Sequence, residues 1–173
     1  TSIYSHGGDI ALSLSPSSSI LSNVLLSNAS IDSIGNTFSS SGAYNFTVEG
    51  SKISTASVFF SSTGVANFAI VDSTIAYGMN ELITASIGMD SLVMRNVEIL
   101  KSGPSARSFL DLSGGTDGIL DLYNVTSEVP FFLGTASYPL YVTQARIEDS
   151  NFKDSIGLLD LRPVNLRADI LNT

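Results

Sequence analysis

Phe46-Thr47-Val48-Glu49-Gly50-Ser51-Lys52-Ile53 and, further along, Phe68-Ala69-Ile70-Val71-Asp72-Ser73-Thr74-Ile75 are two copies of one pattern: apolar, any, apolar, any, Asn/Asp/Gly, any, any, apolar. The pattern recurs through the whole chain. Its turn residues are Asn28, Gly50, Asp72, Asn96, Asn124, Asp149 and Asn172, at intervals of 22, 22, 24, 28, 25 and 23. Four places before each turn stand Val24, Phe46, Phe68, Leu92, Leu120, Ala145 and Ala168, and two before stand Leu26, Val48, Ile70, Met94, Leu122, Ile147 and Ile170. Three places after stand Ile31, Ile53, Ile75, Ile99, Ser127 and Phe152. Only Ser127 among these is not apolar, whereas a chain that is 43% hydrophobic would fill under half of them by chance. A period of this size marks a solenoid.

Two apolar residues separated by one position share a face of a strand. Asn, Asp and Gly most readily accept positive φ, so one left-handed residue bends the chain and a second strand begins with its apolar residue again pointing inward. A second apolar block precedes most copies by about ten residues: Ala11-Leu12-Ser13-Leu14, Val58-Phe59-Phe60, Leu82-Ile83-Thr84-Ala85, Phe109-Leu110-Asp111-Leu112, Phe131-Phe132-Leu133 and Leu158-Leu159-Asp160-Leu161. Helical periodicity is missing. Parallel crossovers are overwhelmingly right-handed. The expected fold is therefore all-β: a right-handed parallel β-helix of about seven coils with 22–28 residues each, forming a single domain over residues 1–173. Leucine-rich repeats place their Asn three residues after the second strand leucine rather than two. Left-handed hexapeptide helices need a strict coil length that these intervals do not keep.

The chain has 173 residues and a net charge of −8, with only eight Lys and Arg. Phosphate backbones demand clustered bases, so a nucleic-acid partner is not expected. Charged residues make up 14% of the chain, against roughly 25% in an ordinary soluble domain, and serine takes many of the solvent-facing positions instead. No apolar run reaches the roughly 18 residues of a spanning helix, so membrane insertion is not expected. Cysteine is absent, which removes disulfides and thiolate metal sites. Three sequons, at Asn28, Asn45 and Asn124, match what an Asn- and Ser-rich sequence contains by chance.

With this repeat grammar the chain resembles the pectin-lyase-like superfamily of right-handed β-helices, which holds polysaccharide lyases and hydrolases, phage tailspikes and bacterial surface passengers. That resemblance covers about residues 10 to 173. It implies an extracellular or surface-displayed protein, either a structural or adhesive segment (adhesin, passenger or fibre) or a carbohydrate-active enzyme or glycan-binding module. Enzymes of this group carry acids with His, Lys or Arg on one outward sheet face. The polygalacturonase signatures Asn-Thr-Asp, Gly-His-Gly and Arg-Ile-Lys are absent, and the one histidine, His6, lies outside the repeats.

Candidate sites follow from the outward positions. Asp111 and Asp160 each sit centrally in Leu-Asp-Leu, two copies apart, at an expected backbone separation of roughly 9–10 Å, near the carboxylate spacing of an inverting glycosidase. They are the candidate catalytic pair, although an outward strand acid is more often a solvated one. Lys101 and Arg107 bracket the loop that lengthens one interval to 28, a basic spot where a glycan carboxylate could dock. Three places before the turn, Asp121, Arg146 and Asp169 form an alternating charge ladder. In the earlier copies the outward residues are Leu25, Ala69, Val71 and Val93, an expected interface patch. It would be covered either by the chain's own segment from Tyr77 to Asp90 or by another subunit or domain. No cofactor or metal is expected. Because Asn172 is followed only by Thr173, the chain is expected to be a segment of a longer protein whose remaining domains, or another subunit, cover the β-helix ends.

Overall fold

The computed structural model describes residues 2–5, 10–14, 22–40, 44–57, 59–62, 67–85, 90–112, 118–129, 131–133, 142–153, 156–158 and 167–171. They form a parallel β-helix. Every strand pairing among them is parallel, and 14 strands join in one continuous sheet.

Three ladders run along the solenoid. The pre-turn ladder stacks Val24, Phe46, Phe68, Leu92, Leu120, Ala145 and Ala168 in one column. Leu26, Val48, Ile70, Met94, Leu122, Ile147 and Ile170 form the next inward column. Across the turn, the post-turn ladder stacks Ile31, Ile53, Ile75, Ile99, Ser127 and Phe152. A third ladder holds Leu12, Phe38, Phe60, Ile83 and Leu110. The register matches the spacing of the repeat because a one-residue slip would turn the whole apolar set outward.

The corner between the first two ladders is built by backbone conformation. Asn28, Gly50, Asp72, Asn96, Asn124 and Asp149 have φ between 48° and 56°, the left-handed region in which short polar side chains and glycine are least strained. The seventh turn residue, Asn172, lies outside the described residues. Turn amides continue the ladder through the bend: Asn28 N–H donates to the Glu49 carbonyl at 2.9 Å, and Gly50 N–H to that of Val71 at 3.0 Å. At the next corner the coils approach closely over glycine. A Cβ at Gly78 would lie 2.7 Å from the Ala56 carbonyl oxygen, and one at Gly103 would lie 2.5 Å from that of Gly78.

Among the described residues, four stretches, 22–40, 44–62, 67–85 and 91–112, carry all three ladder strands within the main sheet. This is fewer full coils than the expected seven or so, because counting turn residues ignores what happens to the third strand. The pairing of Ser91–Leu112 with Asn67–Ala85 shifts register twice, between Lys101 and Ser105 and between Ala106 and Ser108. Beyond that insertion the third-side strands Phe131–Leu133 and Ile156–Leu158 form a separate two-stranded sheet.

The core is one narrow column of side chains. Phe38, Phe46, Phe59, Phe60 and Phe68 are fully buried and touch in tilted or edge-on pairs with ring centroids 4.7–6.2 Å apart, the offset geometries that aromatic quadrupoles favour. Phe38 stands alone among polar neighbours in Asn36-Thr37-Phe38-Ser39-Ser40, so the block pattern does not single it out.

Buried hydroxyls complete the corner. Ser51 Oγ accepts from the Ala29 N–H at 3.1 Å and donates to the Glu49 carbonyl at 2.8 Å. Ser73 repeats the device one coil on, accepting from the Ser51 N–H and donating to the Val71 carbonyl. Ser150 does the same for Val125 and Glu148. By contrast, the Thr37 hydroxyl is fully buried with no hydrogen-bond partner. Ser51→Ala is therefore expected to lower stability by about 1–3 kcal/mol, since it orphans a buried amide. Thr37→Val, which removes an unpaired hydroxyl at constant shape, should leave stability unchanged or raise it. Urea midpoints of the two variants against the parent chain check the contrast.

Candidate functional site

On the outward side of the pre-turn ladder, four columns of side chains run parallel to the solenoid axis. Five places before the turn, amides chain from coil to coil. Asn45 Nδ2 donates to Asn23 Oδ1 at 2.8 Å, Asn67 Nδ2 to Asn45 Oδ1 at 2.7 Å, and Ser91 Oγ to Asn67 Oδ1 at 2.7 Å. At the turn itself Asn96 Nδ2 donates to Asp72 Oδ1 at 2.7 Å and Asn124 Nδ2 to Asn96 Oδ1 at 2.9 Å. Stacked amide ladders of this kind use the identical strand spacing of parallel coils. Two sequon asparagines thus occupy structural places, Asn45 within a strand ladder and Asn124 in the turn ladder. Asn28 Nδ2 bonds the hydroxyl of Ser27.

Between these amide rows lie the charged positions. In register across three coils stand Val93, Asp121 and Arg146 in one column and Arg95, Tyr123 and Glu148 in the next. One pair closes diagonally between coils and the other within a single strand. Arg95 Nη2 lies 2.9 Å from Asp121 Oδ2, and Arg146 pairs with Glu148. The Arg95, Arg146 and Asp121 side chains are 55%, 52% and 19% exposed. Such pairs contribute little to stability because water screens them. Their effect here is to fix the positions of two guanidinium groups around Tyr123, which is itself 40% exposed. Arg95, Asn96, Asp121, Tyr123 and Arg146 together line an open recess of about 310 Å³. The two guanidinium groups are balanced by the carboxylates they pair with, Asp121 and Glu148.

Lys101, named from the sequence as a docking residue, lines a different recess of about 380 Å³ with Ser102, Glu128 and Lys153. Glu128 Oε2 accepts the Lys101 N–H at 2.8 Å, which ties the bulged segment to the following coil. The second ammonium group there is that of Lys153, distant in sequence but brought close by the stacking. Arg107 lies in the same strand, Ser91–Leu112, within the second register shift, between Ala106 and Ser108. Asp111 lies on that strand opposite Thr84 in the third ladder, and Asp160 falls outside the described residues. The proposed catalytic pair is therefore placed for one member only.

Of the apolar patch, Leu25 is 65% exposed, whereas Ala69, Val71 and Val93 are half-buried. Ala69 and Val93 are direct register neighbours, and Leu25 stands two coils before Ala69 in their column, with Thr47 between. Of the segment from Tyr77 to Asp90 expected to fold over them, the first part is strand. Residues 77–85 continue the strand Asn67–Ala85 around the coil, with Tyr77 fully buried and Met79 exposed. Residues 86–89 of that segment, Met89 among them, lie outside the described residues. Among the described residues, no group of three or more His, Asp or Glu side chains is placed to hold a metal ion.

Tyr123 is the residue that reading the sequence missed. The column one place before the turn reads Ser27, Glu49, Val71, Arg95, Tyr123, Glu148 and Leu171. Aligning that column on the turns is the signal that would have found an aromatic ring next to Arg95. No family model, no curated protein and no solved structure matches this chain.

Proposed function

We propose that this chain is a non-catalytic structural or adhesive β-helix segment of an extracellular or surface-displayed protein, such as an adhesin, passenger or fibre, of pectin-lyase-like type. One observation carries the reading: several outward carboxylates and amides are spent on bonds within the solenoid, most of them between coils. Asp121 is held by Arg95, Glu148 by Arg146 and Glu128 by a backbone amide, while Asp72 caps an amide ladder. A catalytic carboxylate must instead reach a substrate proton or carbon. Leu25, Ala69, Val71 and Val93 are, in this proposal, the contact with another subunit or with the remaining domains of a longer chain. The test is to incubate the chain with a panel of polysaccharides and follow new reducing ends and chain length. Unchanged polymers are expected, and depolymerisation overturns the reading.

A second reading, a carbohydrate-active enzyme or glycan-binding module, draws support from the open recess lined by Tyr123 with Arg95 and Arg146. Its enzymatic form predicts cleavage that Asp111→Asn and Asp160→Asn abolish. Lys101 and Arg107 would then dock a substrate carboxylate.

A further inference from the structure

We propose that the insertion Ser102-Gly103-Pro104 is a clasp: it joins three successive coils, those of Thr55, Gly78 and Gly103, into one unit that opens as a whole rather than coil by coil. This goes beyond the functional reading above and does not depend on it.

The insertion stands at a corner where the backbones already crowd one another. Lys101 lies opposite Tyr77 and Ser105 opposite Met79, so Ser102, Gly103 and Pro104 together face the single residue Gly78 of the preceding coil. The surplus chain leans back over that glycine. A Cβ at Gly103 would lie 2.5 Å from the Gly78 carbonyl oxygen and 2.9 Å from its Cα. Gly78 in turn sits on Ala56, whose carbonyl oxygen a Cβ would meet at 2.7 Å. Two stacked glycines thus remove the side chains that would hold the coils apart here. The approach brings Ser102 to the coil beyond: its hydroxyl donates to the Thr55 carbonyl at 3.2 Å, past the coil of Tyr77 that lies between them. On the opposite side the Lys101 N–H is held by Glu128, so the insertion is fastened in both directions.

A contact between coils two apart changes how a solenoid opens. Where repeats touch only their neighbours, stability is close to a sum of repeat and nearest-neighbour terms, and long arrays lose all-or-none behaviour. A second-neighbour contact penalises opening of either outer coil while the other stays folded. The middle coil cannot leave alone, because Gly78 is held between Ala56 and Gly103. Thr55 gives the clasp a firm seat: it is buried, and its hydroxyl donates to the Gly35 carbonyl at 2.6 Å and accepts from the Ser57 N–H at 3.2 Å. A protease or a pulling force then meets no single coil that opens readily in this part of the chain.

The test is native-state hydrogen exchange of the whole chain in low denaturant, following the ladder amides of Val48, Ile70 and Met94, one from each of the three coils. In the parent, rates corrected for intrinsic exchange should agree within about twofold and share one denaturant dependence. Gly103→Ala, which presses a methyl group into the Gly78 backbone, should separate the three by about tenfold or more. Ser102→Ala, which removes the bond to Thr55 and leaves the glycine contact, should separate them in the same sense by a smaller factor. Lys101→Ala keeps the bonded N–H and should behave as the parent. Ser102→Ala carries the test should Gly103→Ala not fold. Rates that already differ by about tenfold in the parent overturn the clasp. So does exchange that stays uniform across the three coils in every folded variant of Ser102 and Gly103, whatever its overall level.

Discussion

Replacing Phe68 by alanine is expected to lower the unfolding free energy by about 3–5 kcal/mol, one of the two largest effects in this chain. Its ring is fully buried and meets three others, with centroids 5.4 Å from Phe46, 6.2 Å from Phe59 and 4.7 Å from Phe60. Deleting a phenyl group removes its transfer free energy and leaves a cavity whose cost depends on how far the walls can close. Here they cannot close much. Hydrogen-bonded ladders fix the spacing of Phe68 to Phe46 below and Leu92 above, so coils cannot sink into the gap. Leu25→Ala is the natural comparison, because Leu25 is 65% exposed and its truncation should change stability by no more than about half a kcal/mol. Denaturant midpoints with unchanged slope measure both. Similar losses at the two sites would mean that the aromatic column is not the core.

Ile70→Ala and Ile147→Ala should each cost about 2–5 kcal/mol, whereas Thr47→Ala should stay within about half a kcal/mol. Ile70 and Ile147 are inward residues two places before their turns, at 0% and 1% exposure. Thr47 stands one place earlier in its own copy, on the outward side of the strand, and is half-buried. In a solenoid each coil contacts only its neighbours, so a cavity in either coil also weakens the interfaces above and below it. The measurement is again the denaturant midpoint of each variant. Equal costs at inward and outward positions would contradict the strand register, and with it the placement of Arg95, Tyr123 and Arg146 on one face.

The turn column shows how far local chemistry reaches in this protein. Asn, Asp or Gly at a fixed place in each copy was enough to foresee a left-handed residue there, and six described turns adopt it. Steric limits on φ act within one residue and its neighbours, so they can be read without knowing the rest of the chain. The inward columns were legible for a related reason. Strand periodicity is two, burial forces apolar residues to one face, and the register follows once the turns are aligned. Phe38 escaped because a single apolar residue among Thr and Ser makes no block, and only the neighbouring rings at 5.1 and 5.5 Å reveal its place.

What the sequence determined by itself, then, was the parallel β-helix, its turns and its inward columns, each set by short-range sterics or by a period of two. Which residues share a surface was decided by the tertiary structure. The interval of 28 residues between Asn96 and Asn124 contains an insertion, and the chain absorbs it as register shifts that leave the pre-turn strands aligned. That alignment puts Tyr123 beside Arg95 and Asp121 beside Arg146, while Lys101 finds Lys153 rather than a sequence neighbour. Side-chain neighbours across coils depend on how loops of unequal length are taken up. That is a property of the stacked backbone and its hydrogen bonds, and no local pattern encodes it.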